Sequence, residues 1–96
     1  MAILLLKDAG PGTKGDPVPL TGFPKGAVLF VRVDGGPATI EQSFLRKEND
    51  WSVLATLQDG EAVTVGKAIR LRASIPKSRA KGKVGKVRVV VEQEQP

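Results

Sequence analysis

The 96-residue sequence contains no cysteine, no histidine and no tyrosine. Without cysteine there are no disulfides, no thiol nucleophiles and no Cys-ligated zinc. Without histidine the chain lacks the side chain that most often serves as a general base near neutral pH. Aromatic residues make up only 4% of the chain, so its hydrophobic core has to be built from Val, Leu and Ile.

Long apolar segments are also missing. The N-terminal run Ile3 to Leu6 is far shorter than the roughly 20 apolar residues that a transmembrane helix needs. It also lacks the basic flank and the cleavage site of a signal peptide. We therefore expect no membrane association and synthesis in a cytoplasm, with which the absence of cysteine agrees.

Paired carboxylates are the remaining route to acid–base catalysis or metal binding. Glu48 and Asp50 lie close together in one polar turn, and Asp59 and Glu61 flank another. Acidic residues in such turns are usually turn formers and solubilising groups, and neither pair has the ligand number of a calcium loop. The sequence predicts a protein that is not an enzyme and that uses no metal or cofactor.

Short β-branched and aliphatic runs, separated by polar or Gly/Pro-rich turns, predict an all-β fold. The predicted strands cover residues 3–6, 27–33, 39–44, 51–57, 63–65, 67–73 and 84–92. Because tight turns such as Asp59-Gly60 join the runs between 38 and 74, we expect these four strands to form an antiparallel meander. The prediction is one domain, 1–96, folded as a small antiparallel β-sandwich or partly open β-barrel of about seven short strands, with a frayed tail at 93–96.

Residues 8–26 form a Pro/Gly-rich segment between the first two predicted strands. Four prolines and five glycines in nineteen residues forbid a helix and interrupt any ladder of backbone hydrogen bonds. The segment also carries Val18, Leu20 and Phe23, which are too apolar for a simple linker. We therefore interpret it as an extended arm or long loop that is at most partly ordered alone and that docks these three side chains on a neighbouring chain.

Alternation of polarity assigns side chains to faces. In the last strand Val87, Val89 and Val91 share a buried face, while Lys86, Arg88 and Glu92 share an exposed one. Leu54 is expected in the core with Val89. Trp51 could be an exposed anchor at an interface or the main core residue. It has the same parity as Val53, Ala55 and Leu57, which favours the core, where Phe30 and Phe44 are also expected.

The net charge of +5 is concentrated towards the C-terminal side: residues 62–91 contain nine Lys or Arg and no acid. These cations could contact phosphates or an acidic protein surface, or could simply be solvated. The candidate contacts with an anionic surface are Arg70, Arg72, Lys77, Arg79, Lys81, Lys83, Lys86 and Arg88. If the last two strands pair, Arg70, Arg72, Lys86 and Arg88 line one face. The stacking aromatics of single-strand binders are missing, which favours an acidic protein partner over nucleic acid.

Residues 38–91 resemble a pattern met in small β-sandwich virion proteins of tailed bacteriophages. The matching segments are Ala38-Thr39-Ile40-Glu41-Gln42-Ser43, Trp51-Ser52-Val53-Leu54-Ala55-Thr56-Leu57, Ala68-Ile69-Arg70-Leu71-Arg72-Ala73-Ser74 and Lys86-Val87-Arg88-Val89-Val90-Val91. The resemblance implies a structural protein of the virion, either a head decoration (cement) protein or part of a tail or fibre. It also implies a homo-oligomer, with a trimer favoured, and the major capsid protein or another virion protein as partner.

Three classes of function follow from these observations. The first is a non-enzymatic capsid decoration protein, located on the virion after synthesis in the host cytoplasm. The second is a basic nucleic-acid-binding β-barrel that uses the cationic surface of residues 67–88. The third, a carbohydrate-binding module, is disfavoured by the scarcity of aromatic side chains for sugar stacking.

Overall fold

The computed structural model describes residues 2–10, 12–24, 26–44, 50–76 and 87–94. These residues form an all-β structure of two four-stranded antiparallel sheets that are not closed into a barrel, as expected for a small β-sandwich. The eight strands are β1 (Ala2–Ala9), β2 (Val18–Pro19), β3 (Leu29–Asp34), β4 (Ala38–Ser43), β5 (Trp51–Leu57), β6 (Ala62–Val65), β7 (Arg70–Ser74) and β8 (Val87–Gln93). None of the described residues belongs to a helix that could cross a bilayer.

The first sheet has the strand order β1-β8-β3-β6. Its inner face is a ladder of valines, because Val31 pairs with Val91 and Val33 pairs with Val89 in the antiparallel register of β3 and β8. All four side chains are completely buried. The predicted burial of Val89 is therefore confirmed, as is the exposure of Arg88 on the opposite face.

The second sheet has the strand order β2-β7-β4-β5 and contributes Ile40 and Leu71, both fully buried, to the opposite side of the core. Only β4 and β5 follow one another as a hairpin, so the expected four-stranded meander is wrong. After β5 the chain crosses to the first sheet to form β6, and it returns to the second sheet for β7.

The Asp59-Gly60 turn explains the first of these crossings. The Gly60 amide donates to the carbonyl of Val33 at 2.8 Å, and the Gly35 amide donates to Asp59 Oδ1 at 2.7 Å. The turn is thereby attached to the end of β3, in the opposite sheet, and β6 continues along β3. Asp59 acts as a turn former, in agreement with the sequence analysis.

Residues 12–20 of the Pro/Gly-rich segment form an edge of the second sheet rather than a separate arm, whereas Asp8 and Ala9 belong to β1. The amides of Gly12 and Gly15 donate to the carbonyls of Ile75 and Ala73 at 2.9 and 2.7 Å, and β2 continues the pairing along β7. Gly15 is required here because a Cβ would lie 2.8 Å from Leu6 Cδ2 and 2.9 Å from the carbonyl oxygen of Ala73.

The apolar side chains of this segment lie in the chain's own core. Leu20 and Phe23 are buried among the core residues, and Val18 packs against them. They are therefore not presented to a neighbouring chain, and the interpretation of residues 8–26 as a docking arm does not agree with the structure. The prolines do not prevent this pairing, because Pro19 lies opposite Arg70 on an edge strand, where a missing amide is tolerated.

Two further expectations concern the ends of the chain. The predicted strand at Ile3 to Leu6 is an unbroken apolar run, which is typical of a strand covered on both faces, but Leu4 is 45% exposed. The register with β8 shifts between Leu4 and Leu6, and this irregularity allows the consecutive residues Leu5 and Leu6 both to be buried. At the other end Gln93, expected in the frayed tail, is the last residue of β8.

Phe23 provides a test of the role of residues 8–26. We expect Phe23→Ala to lower the free energy of unfolding by about 3–5 kcal/mol because it removes a buried aromatic ring and leaves a cavity. The matched control is Val28→Ala, at a side chain that is 50% exposed, which should cost less than about 1 kcal/mol. Urea denaturation measures both, and equal small effects would show that the segment folds independently of the core.

Candidate functional site

Trp51 lies on the outer face of the second sheet, not in the core. The pairing of β4 with β5 places Ala55 opposite Ile40 but Val53 opposite Glu41, so Leu54 is an extra residue without a partner. Such a bulge exchanges the two faces of a strand beyond it. Leu57 and Ala55 therefore point to the core, whereas Val53 is 60% exposed.

Two arginines contact the indole ring of Trp51. The guanidinium carbon of Arg72 lies 4.2 Å from the ring centroid, and that of Arg70 lies 4.9 Å from it. Both distances are typical of cation–π contacts. The arrangement arises because residues two apart on β7 share a face, and Trp51, Ser43 and Arg70 occupy one row across the sheet.

Ser43 lies beneath this cluster and connects it to the β4–β5 hairpin. Its side chain is completely buried, and its Oγ accepts a hydrogen bond from Arg70 Nη2 at 2.8 Å and donates to Asp50 Oδ2 at 3.0 Å. The same carboxylate oxygen accepts the Phe44 amide at 2.7 Å. Asp50 thus has the turn-forming role expected from the sequence, and it helps to fix the position of Arg70.

Arg72 is held by an ion pair with Glu41 on the neighbouring strand. The Nε to Oε1 distance is 2.7 Å, and both side chains are about two-thirds buried, with exposures of 33% and 26%. We call Glu41, Ser43, Trp51, Arg70 and Arg72 the Arg–Trp surface. Because each side chain is fixed by at least one neighbour on a strand, the surface is ordered before any partner binds.

Two shallow grooves border the Arg–Trp surface. One, of about 380 Å³, is lined in part by Lys14, Thr39, Glu41 and Arg72. The other, of about 470 Å³, lies next to Arg70 and is lined by Pro17, Pro19, Thr21 and Ile69. Lys14 adds a cation that the sequence analysis did not connect with the 67–88 region.

The structure separates the cations that were expected to act together. Arg70 and Arg72 belong to β7 in the second sheet, whereas Arg88 belongs to β8 in the first. Strands β7 and β8 do not pair, so the condition for a shared face is not met and Arg88 does not lie beside Arg70 and Arg72. The candidates Lys77, Arg79, Lys81, Lys83 and Lys86 lie outside the described residues.

Other expected core positions are also corrected. Phe30 is half-buried and follows the outward parity of β3, and Phe44 is 40% exposed. Leu54 is partly buried and packs against the core from the bulge. Phe23, which was assigned to a docking arm, is instead the aromatic ring that the core contains.

The described residues contain no group of three or more acidic side chains that could hold a metal ion. Asp59 and Glu61 both serve the turn: Glu61 Oε1 accepts the Gln58 amide at 2.7 Å. Glu48 lies outside the described residues. What the sheet offers chemically is a fixed pair of guanidinium groups beside an aromatic ring, which suits the binding of carboxylate or phosphate groups.

The Arg-x-Arg spacing at residues 70 and 72 predicts two cations on one strand face, and the structure confirms this. The position of Trp51 could not be predicted because it depends on the bulge at Leu54, and neither glycine nor another turn residue marks that position. Comparisons with protein-family models, curated proteins and solved structures find no match to this chain.

The contact between Arg72 and Trp51 can be tested with the only tryptophan as a probe. We expect Arg72→Ala to change the Trp51 emission spectrum and to cost about 1–2 kcal/mol of stability, since it removes a cation–π contact and an ion pair. Arg32→Ala is the matched control, because Arg32 also pairs with a glutamate, Glu92, at 3.2 Å. It should leave the emission unchanged, and a shift of the same size would contradict the assigned contact.

Proposed function

We propose that this chain is a non-enzymatic structural protein of a phage particle, a capsid decoration protein that binds the major capsid protein lattice through the Arg–Trp surface. The observation that carries the proposal is the pair of guanidinium groups held against Trp51 on the outer face of a sheet. Trp and Arg are the residues most enriched among those that dominate protein–protein binding energy. The virion role itself rests on the resemblance of residues 38–91, with which a β-sandwich fold agrees.

The chemistry of the surface favours a protein partner over nucleic acid. A base would need the face of Trp51 for stacking, but Arg72 already lies 4.2 Å from the ring centroid. The carboxylates of Glu41 and Asp50 also belong to the same network and would repel phosphates. A protein can instead match the mixed charges and place its own carboxylates against the outer edges of the guanidinium groups.

An apolar contact accompanies the charges. Val53 is 60% exposed and sits opposite Glu41 in the next row of the sheet. A partner that covers this row would bury Val53 together with the remaining exposed part of Trp51. We therefore expect a partner surface with a small apolar centre and acidic groups around it, which is the usual distribution of polar and apolar groups in interfaces.

The mode of attachment differs from the one expected from the sequence. Because Leu20 and Phe23 are core residues, residues 8–26 do not act as a free clamp in this proposal. Attachment is assigned to the face of the second sheet, and residues 12–20 support that face by forming its edge.

The test is to purify phage particles from a lysate of the source that encodes this chain. We expect the protein in the particle fraction in a fixed ratio to the major capsid protein, and we expect added recombinant protein to bind particles that lack it. Absence of the chain from purified particles would refute the virion role.

Single substitutions test whether the Arg–Trp surface is the part of the protein that binds the particle. Trp51→Ala should weaken particle binding at least about tenfold, the effect of losing about 1.4 kcal/mol at a central contact. Arg88→Ala, on the outer face of the other sheet, is the matched control and should bind like the unaltered protein. If both variants bind normally while the unaltered protein is on the particle, the Arg–Trp surface is not the attachment site.

A nucleic-acid-binding role is the second candidate, favoured by one observation: Lys14 and Arg72 line the same groove. A single-stranded oligonucleotide titrated against the protein at increasing salt tests it. We expect weak binding that disappears near physiological ionic strength. When a protein binds by neutralising phosphates, the logarithm of its binding constant falls linearly with the logarithm of the salt concentration. Tight binding at physiological salt, reduced by Arg72→Ala, would favour this candidate instead.

A further inference from the structure

The four edge strands of the two sheets differ in how they are protected from pairing with another chain. In the second sheet β2 contains Pro19 and follows Pro17, and β5 is interrupted by the bulge at Leu54. In the first sheet the register of β1 with β8 shifts twice. Prolines and bulges are common devices that prevent edge-to-edge association.

Strand β6 has none of these devices. Its four residues, Ala62 to Val65, pair with β3 in an unbroken register, and they include no proline and no charge. On its other side β6 pairs with no strand among the described residues. Ala62 and Thr64 are exposed.

The hydrogen bonds of β3 show which groups of β6 point away from the sheet. The Val33 amide donates to the carbonyl of Glu61 at 3.1 Å. Because bonded and non-bonded pairs alternate along an antiparallel ladder, Val63 and Val65 direct their backbone groups to β3. Ala62 and Thr64 direct their amide and carbonyl groups to the free edge.

We propose that β6 is a self-association edge, at which the β6 strands of two copies of this chain pair antiparallel about a two-fold axis. The pairing extends the two first sheets into one continuous eight-stranded sheet. A two-fold arrangement is self-complementary, so the same residues serve both copies. The inference does not depend on the proposed virion role.

The free backbone groups limit the registers that are possible, and the charges beside the strand choose among them. A residue whose amide and carbonyl point to the free edge forms hydrogen bonds only with a residue of the other copy whose amide and carbonyl also point to that edge. Even-numbered residues of one copy therefore pair with even-numbered residues of the other. One of these registers has Thr64 opposite Thr64 of the second copy and places Ala62 opposite Gly66, the residue that follows the end of β6. In this register Glu61 of each copy lies opposite Lys67 of the other.

The charges favour a second copy over other occupants of this edge. Two molecules of net charge +5 repel one another over most of their surface. At β6 the strand itself is neutral, and the exposed residues Glu61 and Lys67, which flank it, have opposite signs. The two-fold pairing places them in two symmetric attractive contacts, which are favourable across antiparallel strands. The Arg–Trp surface lies on the other sheet and stays accessible.

Sedimentation equilibrium of the full chain over a range of protein concentrations tests the association. We expect a reversible shift from the 10.2 kDa monomer to a species of twice that mass. Thr64→Pro should weaken the association at least about tenfold, since it removes a central edge-facing amide without removing a bond to β3. A cooperative thermal transition of the Thr64→Pro variant is the control that it still folds. A monomer at all concentrations, or a dimer unaffected by Thr64→Pro, would overturn the proposal.

A charge exchange tests the register. Glu61→Lys and Lys67→Glu should each weaken the dimer about three- to tenfold, because each places like charges opposite one another. The double variant carries both changes and restores opposite charges, so its dimer should return to near the original strength. Because Glu61 also accepts the Gln58 amide in its turn, the thermal transition of Glu61→Lys is measured to check that the turn is kept. With that transition unchanged, failure of the double variant to recover would refute this register.

Discussion

The fold depends on burial of an aliphatic core between two sheets that the chain visits alternately. Six of the seven connections between the described strands pass from one sheet to the other, and only β4 and β5 form a hairpin. Few strand pairs are therefore stabilised by a short turn. Val31, Val89, Ile40 and Leu71 meet at the centre with no exposed surface, and their burial supplies the non-directional driving force that brings distant strands together. Folds of this kind, dominated by non-local pairing, are expected to form slowly.

Strand β7 links this core to the candidate function. Its inward residues Leu71 and Ala73 are buried, and its outward residues Arg70 and Arg72 form the Arg–Trp surface. On one side it pairs with β4, which supplies Ser43 and Glu41, and on the other with the Pro/Gly-rich segment. The guanidinium groups are therefore fixed by a strand that is paired on both sides. Such fixed positions reduce the conformational entropy lost when a partner binds, which is one reason for assigning attachment to this face.

The two proposed contacts, the Arg–Trp surface and the β6 edge, lie on different parts of the molecule and depend on different interactions. The Arg–Trp surface is a sheet face on which charge, an aromatic ring and one exposed valine are combined, and its partner is expected to be acidic. The β6 edge has no charge within the strand and offers backbone hydrogen bonds to a second copy. Because the edge belongs to the first sheet and the surface to the second, a dimer could present two Arg–Trp surfaces to a repeating array. This would increase its effective affinity for a lattice without any additional contact.

Composition and local alternation by themselves determined the all-β class, the aliphatic core, the buried valines of β8 and the turn-forming role of Asp50 and Asp59. These features depend on residue type and on the two-residue period of a strand, both of which are readable along the chain. The partner of each strand was decided only by the tertiary structure, because β5 and β6 are joined by a hairpin-like turn that attaches to β3 instead. The extra residue at Leu54 likewise places Trp51 and Val53 on the outer face instead of the core face. Alternation of polarity along the sequence does not reveal such an extra residue. The Pro/Gly-rich segment became a sheet edge because β7 supplied carbonyls for its amides and the core accepted Leu20 and Phe23, and no local pattern contains that information.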